Sequence, residues 1–197
     1  MNLNQKFKFL VPIASIDCPS FRCPASDLVA VMTYLRDSAG YAMLADLTAV
    51  DNGPGSSPRF CGVYHVLNME TREYLRLRVD AEGDETPTLP SVTSIYSAAN
   101  WHERETYDMF GITYKGHPDL RRILMWDGYP HFPLRKEFPL AGIEEEYPEE
   151  DVVERTGLVV KPAPMAGGPF VAASAGPMSA REPRGKDQSW TEQHAKD

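Results

Sequence analysis

The sequence predicts an α+β fold: a two-layer domain with a largely antiparallel sheet, followed by an extended strap and a disordered tail. Three observations carry this expectation. Strand-type and helix-type patterns follow one another in the order strand, helix, three strands, helix. Tyr74–Val79 (YLRLRV) alternates strictly, with Leu75, Leu77 and Val79 on one side and Tyr74, Arg76 and Arg78 on the other. Leu28, Val31, Met32 and Leu35 recur at helical spacing, which marks an amphipathic helix with a core-facing stripe. The expected organisation is a core domain over residues 1–115, a Pro-rich docking strap over 116–140, and an acidic linker with a low-complexity tail over 141–197.

Taken in order, Lys6–Ile13 (KFKFLVPI) alternates weakly and is assigned the first strand, with Pro12 near its end or on a sheet edge. Cys18–Pro24 is expected to be a Pro-bounded loop, and Ser26 to cap the helix that Gly40 ends. Tyr41–Val50 is the next strand, holding the single acid Asp46. The segment Asp51–Pro58 (DNGPGSSP) is all turn chemistry and separates it from a strand over Phe60–Leu67. A short turn at Asn68–Arg72 leads to the alternating strand, whose basic side is either wet or covered by a partner. After an acidic loop from Asp80 to Pro90, Ser91 is expected to cap a helical turn over Val92–Ala98.

The densest stretch runs from Asn100 to Leu140. Asn100 is expected as an N-cap, Glu103 as its capping-box partner, and Gly111 as a left-handed stop. Arg104 and Asp108 stand four apart on one face. Trp101, Tyr107, Met109 and Phe110 do not form one clean stripe, because Glu103, Glu105 and Asp108 are threaded between them. Such a helix should meet protein on more than one side. Beyond it, Pro118, Pro130, Pro133 and Pro139 forbid long regular structure, leaving a strap with basic pairs at Arg121–Arg122 and Arg135–Lys136. Arg pairs beside Trp, Tyr, Phe and Met have the composition of an interface. The candidate interface residues are Trp101, Glu103, Arg104, Glu105, Asp108, Phe110, His117, Arg121, Arg122, Arg135 and Lys136.

The chain has 197 residues and a net charge of −8. Seven acids between Glu144 and Glu154 against Arg155 alone make residues 141–155 account for −6 of it. An acidic chain of this kind is not expected to bind nucleic acid or an anionic membrane surface. No apolar run approaches the roughly 20 residues that span a bilayer. The N-terminal stretch lacks a signal-peptide pattern, so the chain is expected to be soluble and cytoplasmic. The three cysteines Cys18, Cys23 and Cys61 lack C-x-x-C spacing and are assigned as buried or idle thiols. The tail, rich in Gly, Pro, Ala and Ser, is expected to be disordered when free.

Catalytic patterns are weak. His102-Glu103-Arg104-Glu105-Thr106 has no second histidine at zincin spacing. A metal held by His102, Glu103 and His117 is the competing enzymatic reading, and no recognisable ligand spacing supports it. Gly53-Pro54-Gly55 has no downstream lysine for a phosphate loop, and Ser91, Ser94 and Ser97 lack a nucleophile elbow. Catalytic, cofactor-binding and metal residues are therefore expected to be none. A third reading is a free-standing adaptor whose acidic linker recruits basic partners.

The run ERETYDMFGITYKGHPDLRRILM (Glu103–Met125), followed by PLRKEFPL (Pro133–Leu140), resembles the signature of the thirty-kilodalton, or C, subunit of proton-pumping NADH–quinone oxidoreductase, respiratory complex I. LADLTAVD, YHVLN, LRLRV and PSVTSIYSAANWHERE resemble the same family in the same order. The resemblance implies a mixed-sheet α/β domain in the hydrophilic arm, docked chiefly onto the large D subunit and its neighbours. It implies no cofactor on this chain, with FMN, iron–sulfur clusters and quinone held by other subunits. It also implies a peripheral position on the cytoplasmic side of the bacterial inner membrane. Related subunits of membrane-bound hydrogenases and other quinone oxidoreductases share parts of the motif and form the alternative.

Overall fold

Three consecutive segments place apolar side chains on one common face, and the sheet is built from them. In the computed structural model, which describes residues 3–139, these are β3 (Met43–Asp51), β4 (Phe60–Leu67) and β5 (Tyr74–Asp80), paired antiparallel. Leu47, Tyr64 and Leu77 lie in register across them and are essentially without solvent exposure. Leu44 and Leu47 both point inward although three residues apart, because a bulge between Leu44 and Asp46 shifts the alternation by one.

The N-terminal part departs from the sequence expectation. The expected strand over Lys6–Ile13 is instead a short helix, α1 (Leu3–Lys6), and a three-residue edge strand, β1 (Val11–Ile13). The expected loop at Cys18–Pro24 contains β2 (Ser20–Cys23), which pairs parallel with β5 and antiparallel with β1. Four residues between prolines carry too little periodicity to declare a strand; the neighbouring ladder of β5 defines it. The five-stranded sheet has the order β1-β2-β5-β4-β3 and is mixed and largely antiparallel.

Helix α2 (Leu28–Asp37) buries Leu28, Val31, Met32 and Leu35, the stripe read from the sequence. Ser26 does not cap it. A 3-10 turn at Ala25–Asp27 precedes the helix, and the Ser26 hydroxyl bonds to Asp27. A second, two-stranded parallel sheet joins β6 (Thr88–Pro90) to β7 (Thr113–Lys115), flanking α3 (Ala99–Phe110). Gly62 lets this layer approach the main sheet: a Cβ there would stand 2.8 Å from Leu89 Cδ1. The contiguous core joins the α2 stripe, the inner sheet face and Met109, Phe110, Ile112 and Tyr114. The linker and tail expected over 141–197 lie outside the described residues.

Candidate functional site

Helix α3 begins two residues earlier than its sequence suggests. Its N-cap is Ala98, and Asn100 lies inside the first turn with its side-chain oxygen buried, so the expected Asn100 cap does not form. Glu103 does not complete a capping box either. Its Oε1 accepts from the Val92 N–H at 2.7 Å and tethers the helix to the preceding turn. Gly111 ends the helix at φ 75°, as its sequence position predicts.

Arg104 and Asp108, although four apart, do not pair with each other. Both reach into the strap. Asp108 Oδ2 accepts from the backbone N–H groups of Ile123, Leu124 and Met125 at 3.0, 2.7 and 2.8 Å. Its Oδ1 accepts from Arg122 Nη1 at 2.5 Å. Arg122 then donates through Nη2 to the carbonyls of Tyr129 and His131, closing the strap on itself. Arg104 donates to the carbonyls of Arg121 and Arg122 at 3.2 and 3.1 Å. A strap without ladder neighbours must satisfy its polar backbone somehow, and a buried carboxylate that accepts several N–H bonds does so at one point. Burial pushes the Asp108 carboxyl up, but the Met125 N–H, Arg122 and the Ile123 and Leu124 N–H groups hold it below its ordinary value.

Two further ties follow downstream. Arg135 donates from Nε to the Phe110 carbonyl at 2.7 Å, and its guanidinium lies over the Phe132 and Phe60 rings. Leu134 N–H donates to the Met109 carbonyl at 3.0 Å, satisfying another C-terminal carbonyl of α3. At the end, the Lys136 N–H donates to Asp51 Oδ2 at 2.8 Å, while Arg59 joins Asp51 to Glu137. Sequence reading missed Asp51, Arg59 and Glu137. Asp51 opens a turn and looks like local turn chemistry, and its bond to Lys136 spans 85 residues.

The candidate interface residues thus fall into two sets. Glu103, Arg104, Asp108 and Phe110 are buried, and Arg122 and Arg135 are half-buried, all within this chain. Trp101, Glu105, Arg121 and Lys136 are exposed, and His117 is half-buried against the Asn100 carbonyl. The strap turns Leu124, Trp126 and Leu134 outward at 62, 45 and 53% exposure, and Trp101 on α3 is 61% exposed. Sequence reading did not single out Leu124 and Leu134, because nothing in the composition tells which strap residue faces out. His102 lies 3.7 Å from Asp46 and His117 lies elsewhere, so His102, Glu103 and His117 are not brought together. Among the described residues no group of three His, Cys, Asp or Glu side chains is arranged to hold a metal ion.

Fold and strap together define a two-layer domain that carries a self-clamped strap with several large apolar side chains facing out. Residues 21–144 match the family model described as respiratory-chain NADH dehydrogenase, 30 Kd subunit. The chain is 44% identical over 147 residues to the C subunit of NADH-quinone oxidoreductase from Paraburkholderia xenovorans (strain LB400), covering 70% of this chain and 74% of that relative. Among solved structures, the trypsin-resistant fragment (1–134) of Nqo5 superposes with a TM-score of 0.53 at 28% identity, covering 61% of this chain and 100% of that one. A chain from the membrane-bound sulfane sulfur reductase, an archaeal respiratory membrane complex, shares the fold, with a TM-score of 0.62 at 21% identity, over 81% of this chain and 90% of that one. The chain belongs to the family of the 30-kilodalton subunit of respiratory-chain NADH dehydrogenase.

Proposed function

We propose that this chain is a structural subunit of the hydrophilic arm of a proton-translocating NADH–quinone oxidoreductase, with no catalytic or cofactor-binding residue of its own. It docks chiefly onto the large D subunit and the neighbours of that protein. It lies peripherally on the cytoplasmic side of the bacterial inner membrane, while FMN and the iron–sulfur clusters are held by other subunits. Among the described residues no helix is long and apolar enough to cross a membrane, in keeping with a peripheral position.

One observation carries the docking reading. Asp108 and Arg122 fix the strap from beneath, and the strap presents Leu124, Trp126 and Leu134 to the outside, while Trp101 on α3 is exposed as well. Large apolar anchors held rigidly at a surface are how interfaces gain binding free energy, because little side-chain freedom is left to lose. The exposed charged candidates Glu105, Arg121 and Lys136 supply the polar contacts of that surface. The buried candidates set the shape of the surface rather than touching the partner first.

The test is co-purification of the full-length chain from membranes with its companions identified. Trp126→Ser and Leu124→Ser are expected to leave the fold intact and to lower recovery in the complex by about tenfold or more, as loss of an interface anchor does. Normal incorporation and normal quinone reduction in the double variant would overturn the assignment of the strap as the docking surface.

A further inference from the structure

The sheet has two faces, and the helices pack their apolar side chains against only one, although His102 of α3 reaches Asp46 at the β3 edge. Cys61 and Val63 are buried yet stand outside the contiguous core. They belong to the opposite face, where register and alternation gather Thr48, Val63, Arg78 and Arg22 in one row across β3, β4, β5 and β2. The next row is Asp46, His65, Arg76 and Ser20.

The second of these rows satisfies itself. Arg76 donates to His65 Nε2 at 2.7 Å and pairs with Asp17. Accepting at Nε2 leaves the neutral His65 ring with its proton on Nδ1, which faces Asp46 at 3.8 Å. The first row does not. Arg22 and Arg78 are direct register partners, and like charges opposed on adjacent strands repel. Arg22 reaches Asp80 only at 3.7 Å, with its side chain 53% exposed. Arg78 makes no ion pair among the described residues; its Nε is buried without an acceptor, and its hydrogen-bonding neighbour is the Cys61 thiol, a weak acceptor. Aliphatic surface flanks the pair: Val11 continues the row at 58% exposure, and Val50 stands beside Cys61 at 36%.

We propose that this open face, centred on Arg22 and Arg78, is a second docking surface, and that its occupant is an acidic segment of a partner polypeptide whose carboxylate enters between the two guanidiniums while aliphatic neighbours cover Val11 and Val50. Charge complementarity selects the carboxylate, since two guanidiniums on this row face a single, loosely placed Asp80. The aliphatic flanks fit a polypeptide better than a bare phosphate. This face lies across the sheet from the helices, so the proposal goes beyond the strap: the chain joins two neighbours from opposite sides.

The experiment places a photo-crosslinking residue at the exposed Thr48 of the full-length chain, expressed in cells that assemble the complex, and maps adducts by mass spectrometry. The expected result is an adduct to one Asp- or Glu-containing segment of a co-purifying protein. Arg22→Glu should lower that adduct at least about tenfold, and changing the mapped acid to Lys should restore it. Should R22E prove unfolded by circular dichroism, Arg22→Gln against Arg22→Lys makes the same comparison, with loss expected only for Gln. Adducts to lipid, adducts only to another copy of this chain, no adduct, or an adduct indifferent to residue 22 would each overturn the proposal. The Trp126→Ser strap variant separates the two readings: strap-dependent incorporation without a sheet-face adduct sinks this inference and leaves the strap reading standing.

Discussion

The β3–β5 meander and the strap hold the backbone in opposite ways. In the meander each strand satisfies its neighbour's N–H and C=O groups, and burial of Leu47, Tyr64 and Leu77 is spread along the ladder. In the strap, three consecutive N–H groups converge on Asp108, two carbonyls on Arg104, and two more on Arg122. Distributed bonding degrades gradually under substitution. Concentrated bonding fails at one residue. The difference teaches that a segment without secondary structure can be fixed as firmly as a sheet, provided a few buried ions take the place of the ladder.

The largest effect expected from breaking this contrast comes from Asp108→Ala. It strands the Arg122 guanidinium and three N–H groups, a cost of roughly 3–5 kcal/mol for a buried pair losing one partner. Urea unfolding should report the loss, and trypsin should cut rapidly after Arg121 and Arg122 while the meander stays protected. Wild-type cutting rates in this variant would show that the strap is not held by Asp108. Leu77→Ala, in the fully buried centre of the meander, should cost about 2–5 kcal/mol by leaving a cavity. Its signature differs: global stability falls, with no selective opening at Arg121. If both variants gave one proteolytic pattern, the two regions would be a single cooperative unit.

The same contrast explains what was legible in the sequence. The meander was readable because alternation is a local signal; Phe60–Leu67 and the Leu75, Leu77, Val79 face came out as expected. Likewise the α2 stripe and Gly111 follow from neighbours a few residues apart. β2 was invisible because its identity as a strand depends on β5, 56 residues later. The density of charge at Glu103–Asp108 and Arg121–Arg122 announced that something is gripped there. What each residue grips was not legible: Glu103 has the spacing of a capping box, yet its acceptor serves Val92, and Arg104 and Asp108 have the spacing of a pair, yet bind the strap. Spacing reports which side chains share a face; only the fold reports what that face meets.

A smaller effect is expected where strap and helix meet at Gly111. Its φ of 75° already disfavours a side chain, and a Cβ would lie 2.7 Å from both Arg135 Nη2 and Phe132 Cζ. Gly111→Ala should therefore cost about 1–3 kcal/mol, strain and displaced packing together. Hydrogen exchange should speed at residues 132–136 and remain unchanged at 121–125, where Asp108 still holds. Uniform exchange along the strap would show that its two ties are not independent.

The smallest and most condition-dependent effect belongs to Glu103→Gln, and it turns on one helix carrying two acids with opposite fates. Asp108 has four donors and stays ionised; Glu103 has the Val92 N–H on Oε1, while its Oε2 is buried without a partner. Burial accordingly pushes the Glu103 carboxyl from its ordinary 4.5 up to about 7, against the Val92 N–H and Ser91 hydroxyl that pull it down. A folded value above the unfolded one means the contribution to stability is fully present below pH 4.5 and is lost as pH rises through 7. The wild-type unfolding free energy should thus fall across that window by an amount on the order of 1–3 kcal/mol, and the E103Q variant, whose amide cannot ionise, should flatten the slope. Asp108 has the reverse sign: its folded value is depressed, so its contribution is lost only as pH drops below the ordinary 3.8. Urea melts of both chains between pH 5 and 8 check this, and equal slopes would mean that Glu103 is ionised throughout. The charge state of each acid would then be decoupled from its donor count, and the reason Asp108, rather than Glu103, can anchor the strap would have to lie elsewhere than in the backbone N–H groups around it.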